Sequence, residues 1–283
     1  MTSFKAACVQ MNSGRSVEAN VEAAEALIRA AAAAGAGYVL TPEMTTILDR
    51  DRANLLASIG AEDVDPSLLR FREIARELGI HVHVGSMAIL LSDGHIANRS
   101  FLIAPNGAVI GRYDKIHMFD VDLSGGESYR ESATYRAGEK AVVADLPWTK
   151  LGLTICYDLR FPVLHRTLAK AGASVLAVPA AFTQKTGEAH WHVLLRARAI
   201  ETGSYVLAAA QAGHHEDGRD TYGHSLIVDP WGKILAEAGQ EPGFILAEID
   251  PAFAQSARQA IPALANQRAF SLPEIPQVGS FVN

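Results

Sequence analysis

The chain repeats itself once over a long interval. Gly35-Ala36-Gly37-Tyr38-Val39-Leu40-Thr41-Pro42 is echoed by Gly172-Ala173-Ser174-Val175-Leu176-Ala177-Val178-Pro179. Ser100-Phe101-Leu102-Ile103-Ala104-Pro105-Asn106-Gly107-Ala108-Val109-Ile110 is echoed by Ser225-Leu226-Ile227-Val228-Asp229-Pro230-Trp231-Gly232-Lys233-Ile234-Leu235. Each member of the second pair reads as strand, Pro-x-Gly turn, strand. The interval is too long for a solenoid, and no Gly/Ser-rich linker separates the halves. These features predict one domain over residues 1–283 with internal pseudosymmetry.

Local signals supply the elements. Phe4–Gln10 reads as a strand, 17–34 as a helix closed by Gly35, and Tyr38–Leu40 as the next strand. Asp65 as N-cap, Pro66 at the first helical position and Gly79 at the end predict a helix over Pro66–Leu78, followed by an extended stretch over 81–90. The alternation resumes with a strand at 151–155, a helix at 163–171 closed by Gly172, a strand at 175–178 and a helix at 190–202. Two such halves bury their apolar faces most simply as paired sheets with helices outside. The predicted fold class is therefore α/β, a four-layer αββα sandwich. Pro273, Pro276 and Gly279 exclude a helix or central strand from the tail at 271–283, which is expected to be extended.

Net charge −6 gives no basic excess for nucleic acid, and no apolar run is long enough to cross a bilayer. The first ten residues lack a basic region followed by an apolar stretch, so a cytoplasmic location and a small-molecule partner are expected. Two cysteines without CxxC spacing imply neither a disulfide framework nor a zinc knuckle.

Cys156 ends the apolar run 151–155 and enters the polar, Pro-broken turn Tyr157-Asp158-Leu159-Arg160-Phe161-Pro162. A thiol at the meeting of strand and solvent is a candidate nucleophile, but a free cysteine near pKa 8.5 is only a few per cent ionised at neutral pH. It needs a base. Glu43 and Lys115 also lie just past apolar strand patterns and complete a candidate set. For amide hydrolysis through a thioester, Glu43 would move the protons, while Lys115 and the backbone N–H of Tyr157 would stabilise the oxyanion. Cys8, among Ala6, Ala7 and Val9, reads as an inert core residue. Two other readings stay open: a papain-like thiol enzyme using His190 or His192 as base, and a non-catalytic scaffold. His214-His215-Glu216-Asp217 lacks a recognised ligand spacing and reads as a solvated loop, so no metal site is expected.

The words around these residues resemble the nitrilase, or carbon-nitrogen hydrolase, superfamily. Pro42-Glu43, Tyr113-Asp114-Lys115-Ile116-His117-Met118-Phe119-Asp120 and Cys156-Tyr157-Asp158-Leu159-Arg160-Phe161-Pro162 match its base, lysine and nucleophile signatures in order. Likeness continues through Pro179-Ala180-Ala181-Phe182-Thr183, Gly187-Glu188-Ala189-His190-Trp191, Arg196-Ala197-Arg198-Ala199-Ile200-Glu201 and Tyr222-Gly223-His224-Ser225. Thr41, where an aromatic is usual, and Ala137, where proline is usual, depart from the pattern without touching a reacting group. The resemblance implies the same sandwich, a mechanism without cofactor, and a homodimer that can assemble further. It also implies a second glutamate that positions Lys115, assigned to Glu131 in preference to Glu127. The segment 209–216 extends the likeness to amidases acting on deaminated glutathione, with ω-amidases as the alternative. Either substrate carries a carboxylate, for which Arg130, Arg136 and Arg160 are candidate partners.

Overall fold

A computed structural model describes residues 2–122 and 128–271. The first half runs β1 (Phe4–Gln10), α1 (Val17–Ala33), β2 (Tyr38–Leu40), α2 (Arg52–Ser58), α3 (Pro66–Leu78), β3 (His81–Leu90), β4 (Ile96–Ile103) and β5 (Val109–Asp114). A small antiparallel pair, β6 (Asp120–Asp122) and β7 (Ser128–Arg130), leads into the second half. There follow β8 (Val142–Asp145), β9 (Lys150–Leu153), α4 (Pro162–Lys170), β10 (Val175–Ala177), α5 (Gln184–Thr202) and β11 (Tyr205–Ala208). The pair β12 (Ala212–His214) and β13 (Asp220–Tyr222), then β14 (Leu226–Val228), β15 (Ile234–Glu237), β16 (Gly243–Ile249) and α6 (Pro251–Ala260) complete the described chain.

The helix ends follow from local chemistry. Asp65 accepts from Leu68 N at 2.9 Å at the start of α3, and Gly79 closes it in the left-handed region at φ 65°. Along α1 the buried positions are Asn20, Ala24, Ile28 and Ala31, the spacing of a single helical face. The helix expected at 190–202 begins earlier, at Gln184, with Thr183 as its cap. Gly187 is accommodated there because its bare backbone lies against Tyr222, where a Cβ would come within 2.2 Å.

The main sheets have the orders β16-β1-β2-β3-β4-β5 and β15-β14-β11-β10-β9-β8. Read in opposite directions, they are one pattern. An antiparallel edge strand is followed by three parallel strands and an antiparallel hairpin in each. The register repeats as well, since Ala6 faces Tyr38 in one sheet and Leu151 faces Val175 in the other. Ala6 and Cys8 of β1 join Leu151 and Leu153 of β9 in one core between the sheets, while Ala7 and Val9 join Ile28 and Phe71 in a second core under α1 and α3. With α4 and α5 on the other sheet, the layering is αββα. Of the tail expected to be extended, residues 272–283 lie outside the described residues, as does Glu127.

Candidate active site

Glu43, Lys115 and Cys156 leave three different strands and converge. Glu43 follows β2, Lys115 directly follows β5, and Cys156 opens a one-turn 3-10 helix, Cys156–Arg160, just past β9. All three are buried, at 4%, 2% and 7% exposure, at the base of a cavity of about 260 Å³. Lys115 Nζ donates to Glu43 Oε1 at 2.9 Å and to both Glu131 oxygens at 2.9 and 2.8 Å. Glu131, which opens the short helix Glu131–Ala133 after β7, also accepts from Phe119 N at 2.7 Å. Asn98 on β4 donates to Glu43 Oε1 at 2.9 Å and to Glu131 Oε1 at 3.2 Å, tying the two acids together from below.

The charges follow from this packing. Burial alone would raise the Glu43 carboxyl, but the Lys115 ammonium, with further hydrogen bonds from Cys156 and Asn98, holds it below its ordinary value of 4.5. For Lys115, burial works against the charge, and the carboxylates of Glu131 and Glu43 more than offset it, raising the ammonium well above 10.5. Burial and the Glu43 carboxylate raise the Cys156 thiol well above 9.0, against the weaker pull of Lys115 and the Ala181 N–H. The resting arrangement is thus a neutral thiol beside an ionised glutamate and a protonated lysine. An ionised carboxylate able to accept the thiol proton is therefore in place.

The turn that presents the thiol is built around Asp158. Its fully buried carboxylate accepts from Ile155 N at 2.9 Å and Tyr113 Oη at 2.6 Å, and meets His117 N and Nδ1 at 3.1 and 2.7 Å. These bonds bend the chain so that Cys156 takes φ 49°, a left-handed conformation that costs a non-glycine residue roughly 1–2 kcal/mol. Cys156 N donates to Pro179 O at 2.8 Å. Tyr157 N–H stands in the first turn of the short helix, where donors lack intrahelical acceptors. That is a suitable place for an oxyanion.

The candidate carboxylate partners divide. Arg130 and Arg160 line the cavity; Arg130 is held by Asp122, and Arg160 lies over the Phe182 ring at 5.3 Å. Arg136 is not among the lining residues and pairs with Asp93. Two lining arginines escaped the sequence reading. Arg219 donates to the buried Asp217 at 2.7 and 3.1 Å, and Arg50 lies over the Tyr129 ring at 5.3 Å. Both come from polar loops that carry no pattern of their own. The imidazoles of the papain-like reading are engaged elsewhere, His190 with Arg160 and His192 with Glu237. His214 and His215 do not converge on one point: the first pairs with Asp220, the second bridges Ser13 O and Thr221.

The sequence profile of the carbon-nitrogen hydrolase family matches residues 5–259. The chain belongs to this family. It is 42% identical over 268 residues to a deaminated glutathione amidase of Synechocystis, covering 93% of this chain and 98% of the relative. The solved NitFhit protein of Caenorhabditis elegans superposes with TM-score 0.87 at 35% identity, covering 94% of this chain; this chain spans 65% of that longer one. A mutant amidase from Nesterenkonia sp. AN1, carrying an acetamide moiety covalently at its active-site cysteine, superposes with TM-score 0.77 at 27% identity over 91% of this chain and 94% of that one. This carbon-nitrogen hydrolase has the two-sheet architecture of the nitrilase superfamily.

Proposed function

We propose that this carbon-nitrogen hydrolase cleaves deaminated glutathione at its amide bond, releasing 2-oxoglutarate and cysteinylglycine. The observation that carries the reading is the 42% identity, over nearly all of both chains, to the Synechocystis amidase of that name. The site is chemically suited to it: a buried thiol, a carboxylate base and a fixed cation meet under a cavity lined by Arg50, Arg130, Arg160 and Arg219, guanidinium groups able to receive substrate carboxylates.

In the proposed cycle, Glu43 takes the Cys156 proton as Sγ attacks the amide carbon. Oxyanion character gathers between Lys115 Nζ and Tyr157 N–H, donors that are each typically worth about 3 to 4 kcal/mol. Glu43 returns the proton to the leaving amine, which departs with its electron pair and leaves a thioester. Water, deprotonated by Glu43, then adds to the thioester carbonyl, and collapse of that adduct restores the thiol. Glu131 fixes Lys115 and keeps its charge matched throughout. No bound cofactor is needed for these steps.

Release of 2-oxoglutarate and cysteinylglycine from deaminated glutathione, measured beside release of ammonia from 2-oxoglutaramate, succinamate and simple nitriles, tests the assignment. Deaminated glutathione should turn over with the highest kcat/KM. Preference for 2-oxoglutaramate or succinamate would make the enzyme an ω-amidase instead, and turnover of nitriles alone would remove the amidase reading. We also propose that residues 1–283 act as one domain in a cytoplasmic homodimer. Val163, Val193 and Ile200, exposed on α4 and α5, supply apolar surface for self-association, which light scattering would detect as twice the chain mass.

A further inference from the structure

We propose that His192, His224 and Glu237 form a binding site for a divalent transition-metal ion of the zinc class, outside the catalytic cavity. His192 lies on α5, His224 follows Gly223 just ahead of β14, and Glu237 ends β15. His192 Nε2 stands 2.9 Å and His224 Nδ1 3.0 Å from the same oxygen, Glu237 Oε1, and the three potential ligand atoms all lie within 4.8 Å of one another. Among the described residues this is the one group of histidine, cysteine and acidic side chains so arranged.

The donor set fits such an ion. Two imidazoles and a carboxylate suit zinc, and also nickel and copper(II), whereas an oxygen-seeking ion such as calcium or magnesium would not select them. Ligands at about 2.0–2.1 Å from a tetrahedral ion are separated by roughly 3.3 Å. To admit one, the two nitrogens withdraw about a few tenths of an ångström from the carboxylate and, lying within 4.8 Å of each other, close to that same separation by side-chain rotation. Each neutral ring can carry its proton on the nitrogen facing away from the ion, so coordination exchanges two N–H···O bonds for two metal bonds with no change of oxidation state.

The backbone holds the ligands ready. His224 is one of the few non-glycine residues in the left-handed region, at φ 53°. Its N–H donates to Gly239 O at 3.0 Å, its carbonyl accepts from Trp191 Nε1 at 2.7 Å, and its ring stacks on Tyr222 at 4.4 Å. With the side chains of His192, His224 and Glu237 at 29%, 23% and 38% exposure, the ion can enter from solvent and keep a water in its open position. Trp191, beside His192 on α5, packs at 4.9 Å on Phe182, a wall of the catalytic cavity. An ion here would clamp α5 to the β14–β15 hairpin behind that wall.

The test uses the full chain carrying Cys156→Ser, so that the catalytic thiol takes no metal. Equilibrium dialysis against Zn²⁺ with metal analysis should show one ion per chain, Co²⁺ should give the visible absorption of a four-coordinate site, and the melting temperature should rise with Zn²⁺ concentration. His192→Gln and Glu237→Gln, both at partly exposed positions and checked for folding by circular dichroism, should each weaken binding by more than the roughly 10–100-fold that loss of an outer-shell partner costs. Substoichiometric uptake with no Co²⁺ spectrum, or uptake unaffected by both substitutions, would overturn the site and leave a hydrogen-bonded His-Glu-His bridge.

Discussion

Met11 and Cys156 stand at corresponding places past the ends of β1 and β9, if the register that pairs Ala6 with Tyr38 and Leu151 with Val175 is carried along both strands. The chain leaves them by different routes. Met11 continues outward, donates to Ala210 O at 3.3 Å, and bridges to Gln211 of the other half. Cys156 turns back, because Asp158 gathers Ile155 N, Tyr113 and His117 around one carboxylate. The residue matching Asp158 in the first half is Ser13, which takes Gln211 Oε1 on its N–H and donates to Thr45 O. Glu43, in turn, matches Ala180. Duplicated architecture therefore supplies two equivalent exits, and a few side chains make one a tight turn that presents a thiol to the cavity and the other a tie between halves.

The comparison breaks most sharply at the thiol. Cys156→Ala should lower kcat/KM by about 10⁴-fold or more, whereas Met11→Leu, a volume-conserving change, should leave turnover intact and cost under about 1.5 kcal/mol in stability. Steady-state kinetics and urea unfolding on both variants decide it. Glu43→Gln should cost about 10² to 10⁴ in rate, and the pH profile gives a second view of the same group. Because Lys115 keeps the Glu43 carboxyl below 4.5, and the thiol is raised above 9.0, kcat/KM should stay level between those values, with its acid limb below 4.5. A limb near the ordinary histidine value of about 6.5 would point to an imidazole base instead.

Smaller effects sharpen the contrast between the turns. Asp158→Asn removes the charge that three neighbours satisfy and should destabilise the fold by roughly 1.5–3 kcal/mol, against about 0.5–1.5 kcal/mol for Ser13→Ala, as read by thermal and denaturant unfolding. At the strained position itself, Cys156→Gly should be more stable than Cys156→Ala by about 1 kcal/mol, since glycine enters the left-handed region without penalty. Equal stability would mean that the turn relaxes once the sulfur is gone.

The strands at Phe4–Gln10 and Tyr38–Leu40 and the Asp65 and Gly79 caps were readable in the sequence because each rests on local periodicity or on one residue at a helix end, whereas the grouping of Glu43, Lys115 and Cys156 came from the family resemblance of the words around them. What escaped depends on distant neighbours. Nothing around Gly243–Ile249 announces that it will pair with β1, and nothing around Asn98 announces that its amide will lie between Glu43 and Glu131. Arg50 and Arg219 reach the cavity from loops, while Arg136, a few residues after Glu131 in sequence, points away to Asp93. On α5 the apolar Val193 and Ile200 are exposed, whereas Arg198 is buried with its guanidinium on Leu159 O. Hydrophobicity locates such a helix, but partners decide which face turns inward.

The pairing of β16 with β1 bears on how the chain is made. The ribosome delivers Phe4–Gln10 first and Gly243–Ile249 near the end, yet each completes the other's hydrogen bonds along seven residue pairs. During synthesis the first sheet therefore waits with one side of β1 open, and its Ala6-Ala7-Cys8-Val9 run is available to any passing strand. Translation halted before Gly243 would leave a product inclined to aggregate, although Glu43, Lys115, Glu131 and Cys156 had all been made.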